Sequence, residues 1–337
     1  IYYNRNSYGV SYRYLNTPAG ASALPAGASY RFGAAVTVAE AATAPGYTFS
    51  GWSTGDFTMP AQDVEITGSF TANGDTAYTV EHYQQNLAGD GYDLVEADTE
   101  HLTGETDTTA TANPKAYTGF TFDGTVEGTV ASGNIAGDGS LVLKLYYTRN
   151  SYDVTYAYTG TVPTGASALP EKATVKYGAP VTVAEAATAP GYTFSGWSRN
   201  DFTMPAENVT ITGSFTANSN TEYTVRHHFQ NILDDAYDAD TAMLSETLSG
   251  TTDTLTAAAA KTVAGFTAQS FQQKNIAGDG STVVDIYYNR NSYTVTYAVT
   301  GTVDPNPNYK QADYRFGQNV AAEAAAAKAG YDFIGWA

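Results

Sequence analysis

Cysteine is absent from the 337 residues. That excludes disulfide scaffolds, thiolate nucleophiles, thioester crosslinks and cysteine-based metal sites together. Charge is sparse, at 15% of residues, and it is one-sided: 34 acidic against 16 basic side chains give a formal net charge of −18. No cluster of lysine or arginine stands against this excess, so the chain lacks the cationic surface that phosphate backbones and anionic membranes require. Nucleic acid is excluded as a partner, and membrane insertion is not expected for this segment. There is no secretory leader pattern, long apolar run or anchoring tail in the sequence, and such segments are expected outside it. Motifs of chemistry are also missing. The chain has no GxSxG, HExxH, phosphate-loop or dinucleotide fingerprint, and no enzymatic activity or cofactor is expected.

What is abundant is tyrosine (27), glycine (32), and a crowd of threonine, valine and alanine. Aromatic and β-branched residues suit a pleated, half-buried surface. A hydrophobic fraction of 42% is ample for folded cores. The expected class is mainly β.

Self-similarity carries the most information. NSYGVSYRY at 6–14 returns as NSYDVTYAY at 150–158 and NSYTVTYAV at 291–299. Each copy leads into a second block, GYTFSGW at 46–52 and 191–197 and GYDFIGW at 330–336. The first two copies continue through FTMPA and end in ITGSFTAN at 66–73 and 211–218. A different segment lies between the copies, opening with AYTVEHYQQN or EYTVRHHFQN and closing with NIAGDGS and a Tyr-Tyr strand. The expected organisation is therefore 1–5, the last strand of a preceding second-type module; 6–74, first type; 75–148, second type; 149–219, first type; 220–289, second type; and 290–337, a shortened first type. The chain reads as a window on a longer array.

Within the opening strand, Tyr8, Val10 and Tyr12 alternate with residues that change between copies. So do Tyr152, Val154 and Tyr156, and Tyr293, Val295 and Tyr297. A period of two with one fixed face marks a half-buried strand, and these nine residues are the expected structural core. The intervening face drifts from Gly9 to Asp153 to Thr294. Ala-Gly-Asp-Gly at 136–139 and 277–280 suits a tight hairpin. The alanine-rich stretches at 256–261 and 321–328 carry helical propensity and predict short helices. Joints of four to six residues, such as TANGDT and TANSNT, predict a semi-rigid array. At about 3.3 Å per residue, each module would span roughly 30–35 Å and the array about 150 Å.

The first-type module, by its Tyr-Val-Thr-Tyr strand, Gly-Tyr-x-Phe-x-Gly-Trp block and terminal strand, resembles the Listeria–Bacteroides repeat, the B-repeat of internalin-like surface proteins. The second type resembles mucin-binding-protein (MucBP-like) repeats by its Tyr-Thr-Val-x-His opening, Gly-Phe-Thr centre and closing Tyr-Tyr. These resemblances imply small β-grasp-like folds in tandem, in an extracellular bacterial surface protein attached to the cell wall. The function they imply is a structural stalk projecting a distal binding region. The alternatives are modules that bind host glycans, mucin or matrix protein, and a unit that self-associates into an extracellular fibre.

Four residues are candidate ligand contacts: Trp52 and Trp197, as aromatic platforms, and His82 and His227, paired between copies. Each has a bland reading beside it, a core anchor for the tryptophans and too few converging ligands for a metal at the histidines. Asp90, Asp138 and Asp279 lie in Gly-Asp-Gly turns, whose chemistry alone accounts for them, and no calcium loop is recognisable. Lys144 sits at the depth of a crosslinking lysine, but its counterpart is Asp285, which argues against a general isopeptide bond.

Overall fold

The computed structural model describes residues 1–237, 244–299, 311–325 and 327–337. Strands make up 42% of it, in many small sheets, and there is no α-helix among the described residues. The chain divides into two compact units, one of residues 1–154, 172–182 and 201–209, the other of 155–171, 183–200 and 210–337.

In the first unit, the opening strand Ser7–Tyr14 lies between Ala28–Arg31, antiparallel, and Val64–Ala72, parallel. Val64–Ala72 pairs on its other side with Tyr47–Trp52, antiparallel, with a register shift between Phe49 and Trp52. The alternation works as the sequence implies: Ile66, Gly68 and Phe70 face inward and are buried. Val10, Val36, Met59 and Ile66 form one core, and Tyr14, Ala42, Ala44 and Phe70 a second. Gly68 is demanded by packing, since a Cβ there would stand 2.4 Å from Phe49 Cζ; the same separation recurs between Gly213 and Phe194.

A five-stranded sheet follows. Val142–Arg149 is parallel to Thr76–Gln85, with Phe120–Phe122, Tyr92–Leu94 and Glu100–Gly104 as antiparallel neighbours. Leu143, Leu145 and Tyr147 point inward with no exposure, against Val80, Ala110 and Ile135. Each such aliphatic side chain contributes about 2 kcal/mol by leaving water. Parallel pairing of first and last strands requires a crossover, so the residues between them must cover the sheet.

The second unit repeats this plan. Thr221–Phe229 is parallel to Val283–Arg290, flanked by Ser245–Gly250 and Phe266–Ala268. Its core gathers Tyr223, Val225, Ala258, Ile276, Val284, Ile286 and Tyr288. Tyr192–Phe194 pairs with Phe215–Ala217, and Ser292–Val295 with Ala312–Arg315.

Three expectations need correction. No helix forms at 256–261, and none among the described residues of 321–328; Ala326 lies outside them. In the former stretch the backbone N–H groups are taken by side chains: Ala257 N donates to Tyr223 Oη (3.0 Å), Ala258 N to Gln273 Oε1 (3.0 Å) and Lys261 N to Tyr288 Oη (2.8 Å). Tertiary partners outcompete the weak propensity of a short alanine run. The turn at 136–139 exists, with Gly139 N donating to Ala136 O (2.9 Å). It does not close a tight hairpin: Ser132–Asn134 pairs with Thr109–Thr111, Val142–Arg149 pairs mainly with Thr76–Gln85 and Phe120–Phe122, and the arms flanking the turn meet at a single antiparallel bridge, Val130–Lys144. Finally, Tyr293 is 53% exposed. Among the described residues, its strand Ser292–Val295 pairs with Ala312–Arg315 on one side. Val10 and Val154 are buried, while Tyr8, Tyr12, Tyr152, Tyr156, Val295 and Tyr297 are half-buried.

Candidate functional site

His82 and His227 occupy equivalent positions on the inward faces of Thr76–Gln85 and Thr221–Phe229, and their exposures are 0% and 1%. Both ring nitrogens are engaged. His82 Nδ1 lies 2.8 Å from Tyr147 Oη and Nε2 lies 3.0 Å from Glu100 Oε1. In the second copy the distances are 2.8 Å to Tyr288 and 3.2 Å to Glu246. Each tyrosine hydroxyl also accepts a backbone N–H, from Lys115 or Lys261, at 2.8 Å. The hydroxyl hydrogen is then free to donate to Nδ1, and Nε2–H donates to the carboxylate. One neutral tautomer satisfies the whole chain of bonds. The lysines close the cluster from outside: Lys115 Nζ lies 3.2 Å from Glu100 and Lys261 Nζ 2.8 Å from Glu246.

Charge in the cluster follows from this geometry. Glu100 is held below the ordinary carboxyl range first by its bond from His82, then by Lys115; for Glu246 the order is Lys261, then His227. In the first copy Tyr117 Oη donates to Asp98 (2.7 Å), which lowers the Asp98 carboxyl, while burial followed by that bond raises Tyr117.

A Glu–His–Tyr relay resembles the orienting half of a nucleophilic triad. Here its terminal hydroxyl is sealed, since Tyr147 and Tyr288 are unexposed. His82 and His227, the candidate ligand contacts, thus have both ring nitrogens engaged within the fold. Their side chains fall on the inward phase of the strand, beneath the sheet. Of the cluster, the sequence reading picked out only the histidines as candidate sites. Glu100/Glu246, Lys115/Lys261 and Tyr147/Tyr288 are identical between copies, which is the signal that could have found them.

Trp52 ends its strand and Trp197 lies three residues beyond the end of Tyr192–Phe194; both are half-buried. Trp52 stacks on Tyr14 (5.7 Å between centroids, 9° between planes), meets Tyr12 and Phe49 edge-on, and donates from Nε1 to Glu40 O (3.0 Å). Trp197 repeats every contact with Tyr158, Tyr156, Phe194 and Glu185 O. One ring face is thus taken by a tyrosine and the polar edge by a carbonyl.

Lys144 points outward and is 40% exposed, 4.0 Å from Glu81. It therefore lacks the buried setting of a crosslinking lysine. Its counterpart Asp285 instead accepts from His228 Nε2 (2.8 Å). Asp138 and Asp279 accept the backbone N–H of Ser140 and Ser281, both at 3.0 Å, and Asp90 accepts from Asn86 (2.9 Å). No group of three metal-ligating side chains occurs among the described residues.

Comparison with known families bears on the first-type segments. Residues 14–74 match the divergent InlB B-repeat domain, and residues 152–222 and 293–337 match the Listeria-Bacteroides repeat domain. The chain carries repeats of the B-repeat type. Such repeats are typical of bacterial surface proteins and are generally non-enzymatic. No curated protein matches the chain. A solved structure of Streptococcal High Identity Repeats in Tandem (SHIRT) domains 3-4 from a cell surface protein shares 13% identity, covering 62% of this chain and 96% of that one, with a TM-score of 0.18.

Each B-repeat opens on Arg-Asn-Ser-Tyr, and the arginine, unremarked in the sequence reading, has a defined role. Arg149 donates from Nε to Gln85 O (3.0 Å) and from Nη1 to Tyr177 O (2.9 Å), with its guanidinium 4.6 Å from the Phe120 ring centre. Arg290 does the same with Gln230 O, Phe316 O and Phe266. Arg5 Nη1 donates to Phe32 O (3.3 Å). At Arg149 and Arg290 a planar fork over an aromatic face ties the B-repeat to the segment that precedes it.

Proposed function

We propose that these residues are spacer modules of an extracellular, cell-wall-attached bacterial adhesin, holding a distal binding region away from the cell. In this reading B-repeats at 6–74, 149–219 and 290–337 alternate with MucBP-like modules at 75–148 and 220–289, after a last strand at 1–5. The observation that carries it is the contrast between faces. Inward residues such as Val10 and Val154 keep their identity, while outward neighbours drift from Gly9 to Asp153 and from Ser11 to Thr155. A surface kept for recognition retains its outer residues; a bead kept for reach needs only its core. The family matches support the same reading.

Small-angle scattering of the chain tests it, with an extended particle expected and a compact globule fatal to it. An array of host glycans, mucin and matrix proteins, probed with the same chain, is expected to stay blank; saturable binding would favour the adhesive alternative. Concentration-dependent filaments in electron micrographs would favour a fibre unit.

A further inference from the structure

The passage from each B-repeat into the segment after it is built from unusually close contacts, and they occur twice. Gly46 of the Pro-Gly-Tyr turn meets Gly137 of the Ala-Gly-Asp-Gly turn backbone to backbone. A Cβ on Gly137 would lie 2.1 Å from Pro45 O, and one on Gly46 would lie 2.4 Å from Gly137 Cα. The Gly191–Gly278 pair repeats this, at 2.0 Å from Pro190 O and 2.4 Å from Gly278 Cα. Gly137 and Gly278 are not among the glycines with positive φ. The approach of the other segment, not local conformation, is what requires glycine there.

Polar groups lock the same face. Gly46 O accepts from Asn73 N (2.9 Å) and from Thr106 Oγ1 (2.8 Å), and Thr106 N donates to Asn73 O (3.0 Å). Thr76 and Thr106 hydroxyls meet at 2.7 Å, with exposures of 8% and 2%. Asn218, Gly191, Thr252 and Thr221 reproduce the set. Tyr47 Oη donates to Asp107, and Tyr192 Oη to Asp253. Those two aspartates are the non-glycine residues with positive φ among the described residues, at 64° and 62°. Such a conformation persists when its surroundings over-determine it.

The linker's own residues do not share this constancy. Gly74-Asp75 becomes Ser219-Asn220, while every contact residue named above is unchanged. At the equivalent turn of the third B-repeat, nothing lies within 4 Å of a Cβ on Gly330, and Tyr331 is 70% exposed.

We propose that the Pro-Gly-Tyr turn is a docking surface for one partner, the Thr-Asp and Gly-Asp-Gly face of the following segment, and that it fixes the two in a single orientation. The proposal stands apart from the spacer reading, because a compact chain could carry the same joints. It is tested in the full chain, whose lack of native cysteine permits clean double spin labelling. Gln62→Cys with Glu127→Cys spans the first joint; Glu96→Cys with Glu127→Cys stays within the following segment; all three sites are exposed. The spanning pair is expected to give one narrow distance, at least twofold broader after Gly137→Ala, while the internal pair is unchanged. Gly55→Ala, with nothing within 4 Å, is expected to leave both alone. A parent distribution already broad, or a Gly137→Ala width equal to the parent's, overturns the proposal. Should the internal pair broaden as well, Tyr47→Phe, which removes only the hydroxyl on Asp107, must broaden the spanning pair; an unchanged width there overturns it too.

Discussion

A buried imidazole is tolerable when each nitrogen has a partner, and His82 and His227 meet that condition in identical ways. The converse is a measurable cost. Tyr147→Phe strands both His82 Nδ1 and the Lys115 N–H, and is expected to lower stability by about 1–3 kcal/mol in a denaturant titration. His82→Ala, which adds a cavity, should cost more. The same cluster sets an acid limit. Glu100 and Glu246 are held below the ordinary carboxyl range in the folded chain. Such groups stabilise the fold above the unfolded carboxyl value of about 4.3, and that contribution disappears as pH falls through their lower folded values. Thermal melts from pH 7 to pH 3 should therefore show stability falling below about pH 4.3, with a shallower fall in Glu100→Gln/Glu246→Gln. Equal slopes would show that the carboxylates contribute nothing through linkage.

At the scale of the strand, alternation explains which side chains enter the core, and glycine explains where rings enter it. Phe49 and Phe194 lie across Gly68 and Gly213, leaving no space for a methyl group. Gly68→Ala is expected to destabilise its sheet by about 1–3 kcal/mol through overpacking, read as a lower denaturation midpoint. Phe49→Leu in the same background should recover part of the loss. The strands themselves were legible, because their period of two recurs in three copies. The alanine runs misled, since a helix of six residues has too few internal bonds to resist side chains offering partners to its backbone. Tyr223, Gln273 and Tyr288 make that offer from elsewhere in the sequence, where no local pattern announces it.

For the whole molecule, length of reach is the testable quantity. A compact chain of 337 residues would have a radius of gyration of roughly 20 Å. An array of about 150 Å, taken as a rod at about 3.3 Å per strand residue, implies about twice that value. Its net charge of −18 also disfavours close approach of neighbouring copies at low salt. Stiffness was expected from the shortness of the linkers. The structure adds contacts flanking those linkers, at Gly46, Thr106 and Gly137 and around Arg149, and the proposed joint rests on them.

The sequence by itself determined the β class, the repeat and the inward face of each opening strand, because these depend on periodicity, which a single chain displays directly. It also held the identity of the buried cluster, as residues unchanged between copies, without saying that they meet. The tertiary structure decided that Glu100, His82 and Tyr147 converge, that Lys144 faces out, and that two glycines touch across a joint. Each of these depends on parallel pairing of first and last strands and on what the crossover lays over them. Such juxtaposition is set by three-dimensional packing, and no local spacing encodes it.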